Sequence, residues 1–118
     1  MLYDKLFKQF TSVERDLDNA LLRYYVAQDD TSKEYHYADV CRLYTKKMSL
    51  VIECIDNDID VSEFDVDLMQ SVRFLTEIID NCFFLSECEE DPDRSKMWLL
   101  FVKEALYAKD LFLHFIYD

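Results

Sequence analysis

Residues 2–28, LYDKLFKQFTSVERDLDNALLRYYVAQ, decide the fold, because their apolar side chains recur every three or four positions. This spacing places the apolar side chains on one side of an α-helix, and the pattern is too long for a β-strand. The stripe consists of Tyr3, Phe7, Phe10, Val13, Leu17, Ala20 or Leu21, and Tyr24. The stretch therefore predicts an amphipathic helix with one face against a core.

Two further segments repeat this helical spacing after polar interruptions. Thr31 and Glu34 have the spacing of a capping box, so a second helix is expected to start near Ser32 and run to residue 55. A third helix is expected to start at a cap supplied by Asp60 or Ser62 and to run to residue 85. Their apolar stripes are Tyr37, Cys41, Tyr44, Met48, Val51 and Ile55, then Leu68, Val72, Leu75, Ile79 and Cys82.

A fourth helix is predicted over residues 92–117, because Asp91 is a good cap and Pro92 suits the first helical position. Its stripe is Trp98, Phe101, Val102, Ala105, Phe112 and Ile116. Four long helices joined by short connections are typical of an antiparallel bundle. We therefore predict an all-α fold without a sheet, a four-helix bundle in up-down-up-down order, formed by residues 1–118 as one domain.

Glycine is absent from the 118 residues, and proline occurs once. Phosphate-binding loops, dinucleotide-binding turns and nucleophile elbows need glycine where the backbone approaches a ligand or takes a positive φ. The composition therefore excludes these enzyme classes in their usual form. Tight β-hairpin turns also favour glycine, which agrees with a helical fold.

The remaining chemistry-bearing residues do not form a catalytic or metal-binding motif. Four cysteines lie far apart, as expected for buried reduced thiols: Cys41, Cys54, Cys82 and Cys88. His36 and His114 have neither the Glu-x-x-His spacing of di-iron bundles nor an arginine a few residues upstream, as helical ribonucleases have. We expect no catalytic residue, no metal and no cofactor. A metal-dependent enzyme is therefore the least favoured of three classes of function, after a binding protein and a structural subunit.

The sequence also predicts where the protein resides. No apolar run approaches the roughly 20 residues that span a bilayer. The first ten residues, MLYDKLFKQF, interrupt their apolar side chains with charges and lack a signal-peptide core. We therefore expect a cytoplasmic protein that does not contact a membrane.

The net charge of −12 is concentrated in one part of the chain. Residues 48–93 contain 14 acidic side chains and a single basic one, Arg73, whereas the other residues nearly balance. Several of these acids follow the predicted C-terminal ends of the second and third helices, where the helix dipole favours cations. Solubility alone explains an acidic surface, but misplaced charges without local gain are also typical of functional sites.

The densest acidic segment, DNDIDVSEFDVD at residues 56–67, resembles the calcium loop of an EF-hand. Five oxygen ligands match that loop: Asp56, Asp58, Asp60, Ser62 and Asp67. The segment departs from the pattern at Val61, where the loop needs glycine, at Phe64, and at Asp67, whose side chain is shorter than the usual glutamate. We therefore expect at most weak, nonspecific cation binding by this segment.

The leading functional hypothesis is a non-enzymatic inhibitor that covers a basic surface of a partner protein with its acidic residues. Segments 56–67 and 87–93 flank the third helix, about 30–36 Å apart, close to one turn of DNA. The hypothesis includes DNA mimicry and excludes direct nucleic-acid binding, since like charges repel. Small acidic immunity and anti-defence proteins are an analogy without a shared motif. The predicted partner-binding residues are Asp56, Asp58, Asp60, Asp65, Asp67, Glu77, Asp80, Glu87, Glu89, Glu90 and Asp93.

The alternative hypothesis is a structural or regulatory subunit. Leu99, Leu106 and Leu113 form a second apolar ladder on the fourth helix, beside the predicted core stripe. Either the fourth helix is central, with neighbours on several sides, or this ladder contacts a second copy and forms a homodimer.

Overall fold

The computed structural model describes residues 1–117, and this part of the chain is all-α, without a strand. Its helices are α1 (Leu2–Val26), α2 (Asp30–Asp56), α3 (Leu68–Cys88) and α4 (Pro92–Tyr117), with a short 3₁₀ helix, Val61–Phe64, between α2 and α3. The predicted all-α class with four long helices is therefore confirmed. The chain divides into two compact units, unit 1 (residues 1–65) and unit 2 (residue 66 onward). The up-down-up-down order of all four helices and the single domain stay predictions.

Unit 1 is built on the packing of α1 against α2. Glu14 of α1 pairs with Lys47 of α2 at 3.2 Å, and the rings of Tyr24 and Tyr37 lie 5.4 Å apart. Residue numbers rise along α1 as they fall along α2, so the two helices are antiparallel. The buried core comprises Leu6, Phe10, Val13, Leu17 and Ala20 of α1, and Val40, Cys41, Tyr44, Met48, Leu50, Val51 and Cys54 of α2.

The 3₁₀ helix is attached to α1 by an aromatic cluster. Phe64 is 6% exposed, and its ring stacks on Phe10 with centroids 4.6 Å apart. Tyr3 and Phe7 pack around the same ring at 5.4 and 6.4 Å. This cluster explains why the N-terminal part of α1 carries three aromatic residues at helical spacing.

Unit 2 is built on the packing of α3 against α4. The two helices are joined by a three-residue turn, and the Ser95 hydroxyl donates a hydrogen bond of 3.0 Å to the Ser86 carbonyl across it. The buried core comprises Val72, Leu75, Ile78 and Cys82 of α3, and Trp98, Phe101, Val102, Ala105, Ala108 and Phe112 of α4.

Asp29, and not the predicted Thr31, caps α2. The Asp29 carboxylate accepts hydrogen bonds from the backbone amide of Ser32 at 2.7 Å and from the Ser32 hydroxyl at 3.1 Å. These bonds favour the ionised carboxylate and hold the pKa of Asp29 below its usual value. The capping-box prediction was therefore wrong in the identity of the cap, and α2 starts at Asp30.

The start of α3 also differs from the prediction. The helix begins at Leu68, where the Asp67 carboxylate accepts bonds from the amides of Met69 at 3.0 Å and Gln70 at 3.3 Å. Asp60, one of the two predicted caps, instead caps the 3₁₀ helix. The start of α4 agrees with the prediction, since the amide of Asp93 donates to the Asp91 carboxylate at 3.0 Å.

Most residues of the predicted stripes are buried, although some at the helix ends are only half-buried, and the clearest differences fall at neighbouring apolar positions. In α1, Leu6 is fully buried, whereas Tyr3 and Phe7 are 41% and 52% exposed. In α3, Ile78 is buried and Ile79 is half-buried. In each helix the buried residue has an apolar neighbour in sequence, Phe7 beside Leu6 and Ile79 beside Ile78. Periodicity alone does not predict which of the two neighbours is buried.

Candidate functional site

The predicted partner-binding residues lie in both units. Asp56, Asp58, Asp60 and Asp65 belong to unit 1, and the others belong to unit 2. All of these side chains are exposed except that of Glu89, which is half-buried. The continuity of one acidic strip across the two units stays a prediction, and the acids of each unit form a separate candidate surface.

Two aspartates of unit 1 hold backbone conformations that usually require glycine. Asp58 has a φ of 56° and Asp65 a φ of 57°, the only positive values among non-glycine residues that the structure describes. Aspartate tolerates this left-handed conformation better than most residues, because its short polar side chain bonds locally. In a chain without glycine, aspartate therefore serves at these two turns.

Two other aspartates in this segment cap helices. The Asp60 carboxylate accepts from the amide of Ser62 at 3.0 Å and from its hydroxyl at 2.8 Å. These bonds lower the pKa of Asp60 below its usual value. Asp67 caps α3 as described above. Much of the acidic density at residues 56–67 thus has a local structural cause that the sequence analysis missed.

We expect Asp65→Gly to raise the free energy of unfolding by about 0.5 kcal/mol, because glycine adopts a positive φ without strain. Thermal denaturation followed by circular dichroism measures the change. The matched control is Asp18→Gly, at an exposed position inside α1, which we expect to be destabilising because glycine is a poor helix former. Equal losses in both variants would contradict the structural role of Asp65.

The acids of α3 have no comparable backbone role. Glu77, Asp80 and Glu87 are all exposed, and at about 100° per residue they fall within an arc of about 80° on the helix. None of the three forms an ion pair within residues 1–117. Arg73 is the single cation on this side of α3. We call Glu77, Asp80 and Glu87, with the aromatic residues described next, the α3 acidic face.

Two large aromatic side chains complete the α3 acidic face. Phe83 is 49% exposed and Phe84 is 66% exposed. Both follow Asp80 by about one helical turn and precede Glu87 by another, so the rings lie between carboxylates. Exposed aromatic residues are enriched in protein interfaces. Neither ring was predicted as part of a site, but the sequence did contain a signal, since neither belongs to the predicted stripe of Leu75, Ile79 and Cys82.

The turn between α3 and α4 uses one of the predicted partner-binding residues internally. Glu89 pairs with Arg94 at 3.3 Å and also accepts a hydrogen bond from the amide of Asp91 at 3.3 Å. The charge of Glu89 is therefore partly neutralised within unit 2. Glu90 and Asp93 beside it are exposed and extend the negative surface of this unit beyond the end of α3.

Unit 1 also contains an open polar cleft between α1 and α2, which the sequence analysis did not predict. Asp39 and Arg42 form an ion pair of 2.6 Å at its edge. Charges of both signs line the cleft, so it has no net preference for an anion or a cation. The lining residues are Asp16, Asn19, Arg23, Asp39, Arg42 and Leu43.

The cysteines and histidines do not assemble a reactive centre in the part of the chain that the structure describes. No three His, Cys, Asp or Glu side chains in residues 1–117 come close enough to hold a metal. All four thiols are free; three are buried as predicted, but Cys88 is exposed, against the prediction. Burial, and secondarily the charge of Glu53, raise the pKa of the Cys54 thiol and make it less nucleophilic.

No known family model, curated protein or solved structure matches this chain. Within residues 1–117, every helix is too short in its apolar run, or too charged, to cross a bilayer. We therefore infer function from the geometry and charge of the surfaces described above.

Proposed function

We propose that this chain is a non-enzymatic acidic binding protein that inhibits a partner protein by covering a basic surface of that partner. The observation that carries the proposal is the α3 acidic face, with three exposed carboxylates, without ion pairs in residues 1–117, around two exposed aromatic rings. A surface that serves solubility alone does not need two adjacent exposed aromatic rings among its charges, and Phe83 and Phe84 are 49% and 66% exposed.

The chemistry of this face favours arginine-rich partners. A guanidinium group can stack on the ring of Phe84 while it donates hydrogen bonds to Glu87 or Asp80, about one helical turn away. Arginine clusters of this kind occur on proteins that bind nucleic-acid phosphates. Glu77 and Glu87 are separated by about 15 Å of helix rise, a span covering several phosphates of a DNA strand. A nuclease or another nucleic-acid-binding protein is therefore the proposed target, and DNA mimicry the proposed mode.

The proposed location is the cytoplasm. Four free thiols, one of them exposed at Cys88, fit a reducing compartment.

Reversal of three charges on α3 tests the proposal. We expect the variant Glu77→Lys, Asp80→Lys, Glu87→Lys to bind the partner at least about 100-fold more weakly, because each lysine repels a basic surface. The measurement is capture of basic proteins from host lysate by immobilised wild type and variant at low and moderate salt, followed by calorimetry with the captured partner. Binding by the wild type should weaken as salt increases.

The control carries the same change in net charge at other exposed positions: Asp4→Lys, Asp16→Lys and Asp18→Lys. We expect this control to retain most of the affinity. The variant on α3 should remain folded, because Glu87 lies in the last turn of α3, where a cation is more favourable than an anion. Equal weakening in both triple variants would reduce the effect to net charge and refute a specific acidic face.

A second candidate function, a structural or regulatory subunit, is favoured by the exposure of apolar residues on α4. Leu99 is 44% exposed and Leu106 is 43% exposed, so the described chain does not bury this ladder. Measuring the oligomeric state of the wild type and of Leu106→Lys tests this function. The substitution should abolish assembly through this helix.

A further inference from the structure

We propose that α4 pairs with α4 of a second copy of this chain, in an antiparallel arrangement around a two-fold axis that passes near Leu106. The inference gives the second candidate function its contact and does not depend on the acidic face of α3. The position of one leucine ladder and the charges beside it support this pairing.

The ladder is separate from the core of unit 2. The helix α4 buries Trp98, Phe101, Ala105 and Phe112 on one side. Leu99 and Leu106 lie on another side of α4 and are exposed, and Leu113 is half-buried. Their spacing of seven residues keeps them on one line along the helix, as in the seam of a coiled coil. One helix thus carries two apolar lines, and only one of them is covered.

The ladder is symmetric about its central leucine. Leu99 precedes Leu106 by seven residues, and Leu113 follows it by seven. In an antiparallel pair centred on Leu106, each Leu99 meets Leu113 of the second copy, and the two Leu106 side chains meet at the axis. This is the self-complementary geometry of a two-fold contact, in which one patch serves both copies.

The charges beside the ladder indicate that a second copy of this chain covers it. Lys103 and Asp110 are both exposed, and each follows a ladder leucine by four residues, so they lie on the same flank of the seam. A two-fold axis perpendicular to the helices brings this flank of one copy against the same flank of the other. With the axis near Leu106, Lys103 lies opposite Asp110 of the second copy, and this opposite-charge pair occurs twice.

The ends of the same flank are also complementary. Lys96 and Tyr117 are exposed and lie on this flank, ten or eleven residues on either side of Leu106. The antiparallel arrangement places each lysine near the tyrosine ring of the other copy, where a cation–π contact is favourable. A parallel pair of the same helices forms neither contact, because it brings opposite flanks together.

The dimer should be weak and reversible. Pairing through a single helix buries less than the roughly 1,200 Å² of total surface found in stable complexes. A dissociation constant on the order of 10–100 µM is therefore expected.

The test is sedimentation velocity of the whole chain over a range of concentrations at low salt. Leu106→Lys should leave a monomer, and circular dichroism checks that this variant remains helical. Lys103→Asp and Asp110→Lys should each weaken the dimer at least about fivefold, because each homodimer then contains two like-charge pairs. An equimolar mixture of these two variants should dimerise as well as the wild type, because both pairs become opposite in charge again.

Each outcome decides the inference. Rescue in the mixture supports the antiparallel dimer. A wild type that stays monomeric to millimolar concentration overturns it. A dimer that is lost in Leu106→Lys but insensitive to the charges at 103 and 110 overturns the antiparallel geometry while leaving assembly through α4 intact. None of these results bears on the acidic face, whose residues are unchanged in all the variants.

Discussion

Phe64→Ala is expected to lower the free energy of unfolding by about 3–5 kcal/mol, as for other buried phenylalanines cut back to alanine. Phe64 is 6% exposed and stacks on Phe10 at 4.6 Å. Removing the ring leaves a cavity against α1 and also removes aromatic contacts, each worth about 0.5–1.5 kcal/mol beyond burial. Urea denaturation followed by circular dichroism measures the loss.

The size of this effect follows from the position of Phe64 in the chain. It is the last residue of the 3₁₀ helix, between the positive-φ residues Asp58 and Asp65. Both of these conformations are strained for a residue with a Cβ atom, and a buried anchor is needed to stabilise them. Phe64 is that anchor for the acidic segment that follows α2.

The matched control is Phe115→Ala, on α4, where the ring is 56% exposed. We expect a change within about 0.5 kcal/mol, because exposed substitutions away from caps and buried contacts have small effects. The anchoring role of Phe64 would be wrong if its variant lost no more stability than this control.

The same contact explains why the start of α3 was mispredicted. Asp60, Ser62 and Asp67 all have side chains suited to capping, and local sequence does not choose among them. The choice is made by the packing of Phe64 against Phe10, more than fifty residues earlier in the chain. A contact at that separation leaves no periodic signal near residues 60–67, so the helix was expected too early.

Where a single local signal dominates, the sequence prediction agrees with the structure. Asp91 followed by Pro92 predicts a single position for the start of the helix, and α4 begins at Pro92. The stripe of Phe10, Val13 and Leu17 is buried as predicted, because the neighbours of these residues are polar. The disagreement at Leu6 and Phe7 arises where two apolar residues are adjacent.

For the candidate site, the sequence predicted how many acidic residues are present but not which of them have structural roles. Counting acids identified residues 48–93, yet it did not separate Asp58 and Asp65, which hold turns, from Glu77 and Asp80, which face solvent. The backbone conformation and the internal pairing of Glu89 depend on tertiary structure. Phe84 belongs to the candidate site only because its side of α3 is exposed, and this exposure also depends on tertiary structure.

Phe112→Ala is expected to destabilise unit 2 by about 3–5 kcal/mol, because the ring is fully buried. Trp98, the only tryptophan of the chain, is also fully buried in unit 2, 6.0 Å from the ring of Phe101. Its fluorescence therefore reports the unfolding of unit 2, whereas circular dichroism reports the helices of both units. Urea denaturation of this variant should shift the fluorescence transition to lower denaturant.

The comparison of Phe112→Ala with Phe64→Ala tests the predicted single domain. In one cooperative domain, a destabilising substitution in unit 1 lowers the stability of every helix. Phe64→Ala must then shift the unfolding transition seen by Trp98 fluorescence as much as the transition seen by circular dichroism. The wild type must then show coincident transitions by both probes. If Phe64→Ala leaves the fluorescence transition where it is in the wild type, each unit unfolds alone, and the single-domain prediction is wrong. The buried position of Trp98 makes this distinction measurable without an added label.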